Sequence, residues 1–118
     1  HHLGHAVCFM PHVASFFRGI NLTIHAPLSK EHDAESLMTL FQRAYAEEPL
    51  VRVQADIPFV RDAANQHHVT VGGMTSSKGR AVVVATIDNL LKGAATQAIQ
   101  NLNLALGLEE LSGLPISV

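Results

Sequence analysis

Val82-Val83-Val84-Ala85-Thr86-Ile87-Asp88-Asn89-Leu90-Leu91-Lys92-Gly93-Ala94-Ala95 decides how this chain is read. Its first part is apolar without alternation, the pattern of a central strand covered on both faces. Asp88 and Asn89 then turn the chain, and the apolar period changes. Leu91, Ala94, Ala95, Ala98, Leu102, Ala105 and Leu106 recur at helical spacing up to Gly107, a natural C′ stop. The spacing predicts a helix from about Leu90 to Leu106 with that set as its buried stripe. A strand-to-helix corner presents backbone N–H groups and short polar side chains to a ligand. The small Gly93, Ala94 and Ala95 let another backbone or a ligand come close.

Working outward, His67–Met74 and Arg80–Ile87 read as a hairpin joined by Thr75 to Gly79, with Gly79 suited to positive φ. Ile20, Leu22, Ile24 and Ala26 alternate with Asn21, Thr23 and His25, a half-buried strand stopped by Pro27. His5 to Met10 reads as a short strand ended by Pro11. Between these, Leu37, Leu40, Phe41, Ala44 and Tyr45 form a helix stripe, with Asp33 as N-cap, Glu35 favourable in the first turn and Pro49 as the stop. Leu50–Gln54 is a short strand. Ala55–Gln66 reads as a loop, with an extended piece around Ile57 to Val60, and Leu108–Val118 as an irregular tail. The order β, β, α, β, hairpin, α predicts an α+β domain whose sheet is mixed, mostly antiparallel, with helices on one face.

Composition narrows the function. A chain of 118 residues with 47% hydrophobic and 15% charged residues is one globular domain. Its net charge of −2 offers no basic patch for nucleic acid, and no apolar run is long enough to span a bilayer. Cys8 is the only cysteine. It excludes an intrachain disulfide and, lying between Val7 and Phe9 with no cation beside it, reads as a small core residue. The 8 histidines do not fall at ligand spacings, and the adjacent His67 and His68 point to opposite faces of a strand, so no metal site is expected.

The Ile87–Asn101 stretch resembles the closing motif of N-acetyl-gamma-glutamyl-phosphate reductases, NADPH-dependent enzymes of arginine biosynthesis. Phe9-Met10-Pro11-His12 followed by Phe17-Arg18-Gly19-Ile20 resembles another block of that family, and Asn103-Leu104-Ala105-Leu106-Gly107 its ending. The likeness runs from about Val7 to Gly107 and covers only the C-terminal part of such an enzyme. It implies a catalytic and dimerisation domain, similar to the C-terminal domain of glyceraldehyde-3-phosphate dehydrogenase, following an upstream Rossmann domain. It also implies NADP as cofactor, a small-molecule acyl phosphate as substrate, and a homo-oligomer, dimer or tetramer. Bacterial members are cytoplasmic; eukaryotic ones are mitochondrial or plastid. Residues 1–118 are then a single domain and a fragment, because there is no G-x-G-x-x-G after a strand and the family's catalytic cysteine lies upstream. The chain alone is expected to be inactive.

The resemblance also nominates residues. Asn89 would lie beside the nicotinamide, where an amide pairs with a carboxamide. Asp88, Lys92 and Gly93 complete the cofactor-side set, Lys92 meeting phosphate or solvent. Read from the sequence alone, Asp88 and Asn89 cap the helix and satisfy its first N–H groups, a reading compatible with the cofactor role. Arg18 is expected to pair bidentately with a substrate carboxylate or phosphate, or else to form a structural ion pair, with His12 in the same loop lining the substrate site. The alternatives are aspartate-semialdehyde dehydrogenase, with a similar Asp-Asn-Leu phrase, a reductase of the one-carbon-longer aminoadipyl analogue, and a non-catalytic dimerisation module.

Overall fold

The computed structural model describes residues 6–116. Strand β1 (Ile20–Pro27) is followed by helix α1 (Ala34–Ala44), β2 (Val51–Val53), the single-turn α2 (Val60–Ala63), β3 (Val69–Ser77) and β4 (Arg80–Ile87). A π-helical turn (Leu91–Ala95) leads into α3 (Thr96–Ala105). The strands form one sheet in the order β1-β4-β3-β2, antiparallel except for the β2–β3 pair. The α+β class and the mixed, mostly antiparallel sheet are as the sequence predicts, and β4 is central.

Residues opposite each other in an antiparallel pair share a face. Leu22 opposite Ala85 and Ile24 opposite Val83 therefore continue the apolar face that Ala85 and Val71 begin. Helix α1 covers the β3–β4 part of that face. Leu37 is buried there with Val71, Met74, Ala81 and Val83, and Met38 and Phe41 pack around them. The helix stops short of β1, so Leu22 remains 44% exposed. On the reverse face Val82 and Val84 are half-buried, so the predicted double coverage of β4 is partial among the described residues.

Several expectations need correction. Ala6–Met10 has no regular structure; His5 lies outside the described residues. Apolar alternation makes a strand only where a neighbour offers a ladder, and the described pairings give β1 only β4. Cys8 is exposed on that segment and is not a core residue. In α1, Asp33 caps as expected, its Oδ1 accepting from the Ser36 N–H at 2.8 Å. The inward stripe is rotated, though: Leu40 is 52% exposed while Met38 packs on the core. The helix also ends at Ala44, before Pro49. The hairpin loop is tighter than predicted, because Lys78 (φ 50) and Gly79 (φ 71) make a two-residue turn and let β3 run to Ser77. The 55–66 stretch contains α2 in place of an extended piece at Val60.

The largest departure is α3. Its buried residues are Thr96, Gln100 and Asn103, whereas Leu102 is 57% exposed and Ile99, Leu104 and Leu106 are exposed with it. The predicted apolar stripe faces outward. Its C-terminal stop is correct: the Leu108 N–H reaches Asn103 O at 2.9 Å and the Gly107 N–H reaches Leu104 O at 3.2 Å, a Schellman motif.

Candidate functional site

The corner where β4 gives way to the π-helical turn is organised by one carboxylate. Asp88 Oδ1 accepts from the N–H groups of Leu90 (2.8 Å) and Leu91 (3.1 Å), which begin the helical segment without intrahelical partners. Oδ2 accepts from the Asn65 N–H at 2.6 Å. Arg18 donates from Nη2 to Oδ1 at 3.1 Å, and its Nε lies 2.8 Å from Oδ2 as an ion-pair contact without hydrogen-bond alignment. The Asp88 side chain is 0% exposed and that of Arg18 22%. Burial pushes the Asp88 carboxyl pKa up, but the three backbone donors and Arg18 outweigh it and hold the group below its ordinary value.

The main chain widens at this point. Asp88 O accepts from the Gly93 N–H at 2.8 Å and Leu90 O from the Ala95 N–H at 3.2 Å, each five residues on. A Cβ on Gly93 would stand 3.1 Å from Asp88 O, so the small residue keeps the turn tight against the corner. Beyond it Thr96 is buried, its Oγ1 2.8 Å from His67 Nδ1.

Asn89 is half-buried. Its Oδ1 accepts from the Gly19 N–H at 2.6 Å, which leaves the amide nitrogen with no hydrogen-bond partner among the described residues. Gly19 holds φ +109, and a Cβ there would come within 2.5 Å of Val60 Cγ1, so only glycine brings its N–H to that place.

The remaining nominated residues lie as follows. The Nε–Nη2 edge of Arg18, expected to grip a substrate, is occupied by Asp88, and Nη1 donates to Asn65 Oδ1 at 2.7 Å. The structural ion pair is the geometry found. Lys92 does not reach outward as a phosphate ligand would. Its Nζ donates to Gln97 Oε1 at 2.7 Å and to Gln100 Oε1, and Gln100 Nε2 donates to Glu110 Oε1 at 2.5 Å. Burial lowers the Lys92 pKa, with Glu110 and Glu48 partly opposing. The cation is drawn inward because Gln100, the buried polar face of α3, needs a donor. His12 is exposed on the irregular N-terminal stretch. A groove of about 610 Å³ lined by His32, Ser36, Leu40 and Arg43 runs along α1 and includes no residue of the corner.

Sequence reasoning missed Asn65. It holds φ +63, a conformation asparagine tolerates better than most residues, so the sequence signals a turn at that point but not the partner it meets. Gln100, Asn103 and Glu110 were missed as well, because nothing local marks a polar residue in a helix as inward-facing.

The model of the semialdehyde dehydrogenase dimerisation domain matches residues 1–89. The N-acetyl-gamma-glutamyl-phosphate reductase of Stenotrophomonas maltophilia is 54% identical over 96% of this chain and 36% of its own length. A mitochondrial protein of Schizosaccharomyces pombe is 56% identical over 92% of this chain and 12% of its own length. Aspartate semialdehyde dehydrogenase II of Vibrio cholerae has a similar structure, with TM-score 0.64 and 29% identity over 77% of this chain and 28% of that one. The chain thus spans about a third or less of the relatives it matches. Arg18-Gly19-Ile20 and Asp88-Asn89 lie within residues 1–89, and the reductase resemblance they carry agrees with these relatives. The chain belongs to the semialdehyde dehydrogenase dimerisation-domain family, with sequence relatives among the N-acetyl-gamma-glutamyl-phosphate reductases.

Proposed function

We propose that this chain is the C-terminal part of an NADP-dependent reductase that converts N-acetyl-gamma-glutamyl phosphate to N-acetylglutamate semialdehyde. Identity of 54% to a reductase of that name, against 29% to an aspartate semialdehyde dehydrogenase, favours this substrate class over its neighbour. In this reading the upstream region supplies a Rossmann domain and the catalytic cysteine, and 1–118 alone does not turn over. The enzyme works in the cytoplasm of a bacterium or in the mitochondria or plastids of a eukaryote.

The observation that carries the site is the divided amide of Asn89. Its oxygen is held by the Gly19 N–H and its nitrogen is left without a partner, on a half-buried side chain at a helix entrance. An Nδ2 group so held fits the carboxamide oxygen of a nicotinamide. NADPH, when bound, supplies hydride; this chain's residues bind and orient. Asn89 offers the donor, Asp88 fixes the corner through Leu90, Leu91 and Asn65, and Gly93 keeps the turn narrow beneath it. Lys92 serves α3 and the tail instead of the cofactor. The exposed Ile99, Leu102 and Leu106 suit the face that the cofactor domain covers, and the exposed Ile20, Leu22 and Ile24 suit contact between subunits.

The test is the reverse reaction of the full-length parent, with semialdehyde, phosphate and NADP, beside its Asn89→Ala variant. We expect an active parent and a KM for NADP raised about tenfold in the variant, the loss of one hydrogen bond. A folded but inactive parent refutes the reductase assignment. An active parent with an unaffected variant reduces Asn89 to a strut on Gly19.

A further inference from the structure

We infer that Arg18 is a positioning residue for the cofactor side of the site, acting through Asp88 and Gly19 on the amide of Asn89; the inference rests on the nicotinamide reading of Asn89 given above. Two consecutive residues of one segment grip two consecutive residues of another. The Arg18 side chain holds the Asp88 side chain, and the Gly19 backbone holds the Asn89 side chain at 2.6 Å. The Gly19 nitrogen lies in the peptide plane that begins at Arg18 Cα, and Asn89 directly follows Asp88, so seating the guanidinium on Asp88 restrains the Gly19 N–H through the arginine stem.

The Gly19 N–H decides which end of the Asn89 amide faces out. A donor beside the amide selects its oxygen, so the Nδ2 group is turned away. Ile20 is registered opposite Ile87 in the β1–β4 ladder, so Arg18 is the second anchor of that N–H, and without it the Asn89 amide is held less firmly. Asn65 completes the seat. Its Oδ1 takes Nη1 of Arg18 at 2.7 Å while its N–H takes Oδ2 of Asp88 at 2.6 Å, so one residue braces both partners of the ion pair. Of the five N–H donors of a guanidinium, the Nε–Nη2 pair that grips carboxylates bidentately is turned to Asp88. The substrate therefore meets an arginine whose gripping edge is already in use.

The experiment is steady-state kinetics of the full-length parent with Arg18→Lys, Asn65→Gly, Asn89→Ala and the Arg18→Lys/Asn89→Ala double variant. Arg18→Lys keeps the charge beside buried Asp88 but cannot reproduce the two-edged seat. Asn65→Gly retains the backbone N–H to Asp88, accepts the positive φ, and removes only the brace on Nη1. Positioning predicts that Arg18→Lys raises KM for NADP about tenfold with KM for the semialdehyde unchanged, and that Asn65→Gly shifts it the same way by a smaller factor. It also predicts that Arg18→Lys adds nothing further to KM for NADP once Asn89 is alanine. A rise in KM for the semialdehyde with KM for NADP unchanged overturns the inference and returns Arg18 to the substrate. Unchanged KM values with kcat lowered only in proportion to folded protein overturn it in favour of a purely structural pair. Multiplying effects in the double variant overturn it too. If Asn89→Ala alone leaves KM for NADP unchanged in an active parent, the nicotinamide reading has failed first, and that result is distinct from all the others. If Arg18→Lys does not fold, Asn65→Gly alone decides between the outcomes.

Discussion

Helix α1 turns Leu37, Met38 and Phe41 onto the sheet, whereas α3 turns Thr96, Gln100 and Asn103 inward and leaves Ile99, Leu102, Leu104 and Leu106 exposed. The two helices have nearly the same length, 11 and 10 residues, and both follow an aspartate that caps the helical segment. They differ in what lies beneath them. Under α1 is an apolar sheet face, which rewards any apolar side chain brought to it. Against the inner side of α3 are His67, Lys92, Glu110 and the carbonyl groups of the tail. Asn103 Nδ2 donates to Glu110 O and Ser112 O, each at 2.9 Å, and Thr96 and Gln100 meet His67, Lys92 and Glu110. A buried polar stripe is tolerated only when each member is satisfied, and here each is. The comparison teaches that burial in this domain follows the neighbour and not the hydropathy of the helix.

The capping aspartates give the strongest test. Asp33 is an exposed cap, whereas Asp88 is fully buried on Arg18 and three backbone donors. Asp88→Ala leaves the guanidinium without its partner and should cost about 3–5 kcal/mol in denaturant unfolding. Asp33→Ala should cost clearly less. Equal losses would mean that the Asp88 corner adds nothing beyond an ordinary cap.

Leucines on the two helices test the comparison directly. Leu37→Ala opens a cavity in the core and should cost about 2–5 kcal/mol. Leu102→Ala, at a site 57% exposed, should change the stability of this chain by about 0.5 kcal/mol or less. If the proposed cofactor domain covers this face, the Leu102 penalty grows in the full-length parent. A large Leu102 penalty in the chain alone would show that α3 is seated with its apolar side inward.

The polar stripe should respond where the apolar one does not. Asn103→Ala should cost about 1–2 kcal/mol and speed amide hydrogen exchange in the Leu108–Ser112 tail, leaving exchange in α1 unchanged. The smallest effect is on pH. His68 is buried, and burial first, then Arg52 and His67, hold its imidazole below the ordinary 6.5. The unfolded chain takes up a proton the folded chain refuses, so this contribution is complete above pH 6.5 and declines as pH falls from there toward the folded pKa. Asp88, also lowered, gives up its share only at pH values below 3.8. A His68→Gln variant should lose the upper part of the acid-side slope and keep the lower. A variant with the full slope would remove His68 as its source.

Strand β1, the β3–β4 hairpin and the Asp33 cap were legible because each rests on a local rule: period two, turn chemistry, or a side chain reaching its own backbone three residues on. The corner was legible as a corner, and Asp88 capping Leu90 and Leu91 is the same kind of local rule. Asn65 and the Gly19 N–H were not, because each joins segments far apart in the chain, and the inward pull on Lys92 was not, because nothing local marks Gln100 as inward-facing.

The sequence by itself determined the element order, the class of the sheet, the ends of both long helices' capping segments and the family resemblance, since periodicity, glycine, proline and short polar caps act over a few residues. Only the tertiary structure decided which side of α3 is buried, where the guanidinium of Arg18 is spent, and which end of the Asn89 amide faces out. The Arg18 and Asn89 outcomes turn on hydrogen-bond partners 70 residues away in the chain and the α3 outcome on partners 7 to 29 residues away, and a buried polar group takes whichever partner the fold brings within reach.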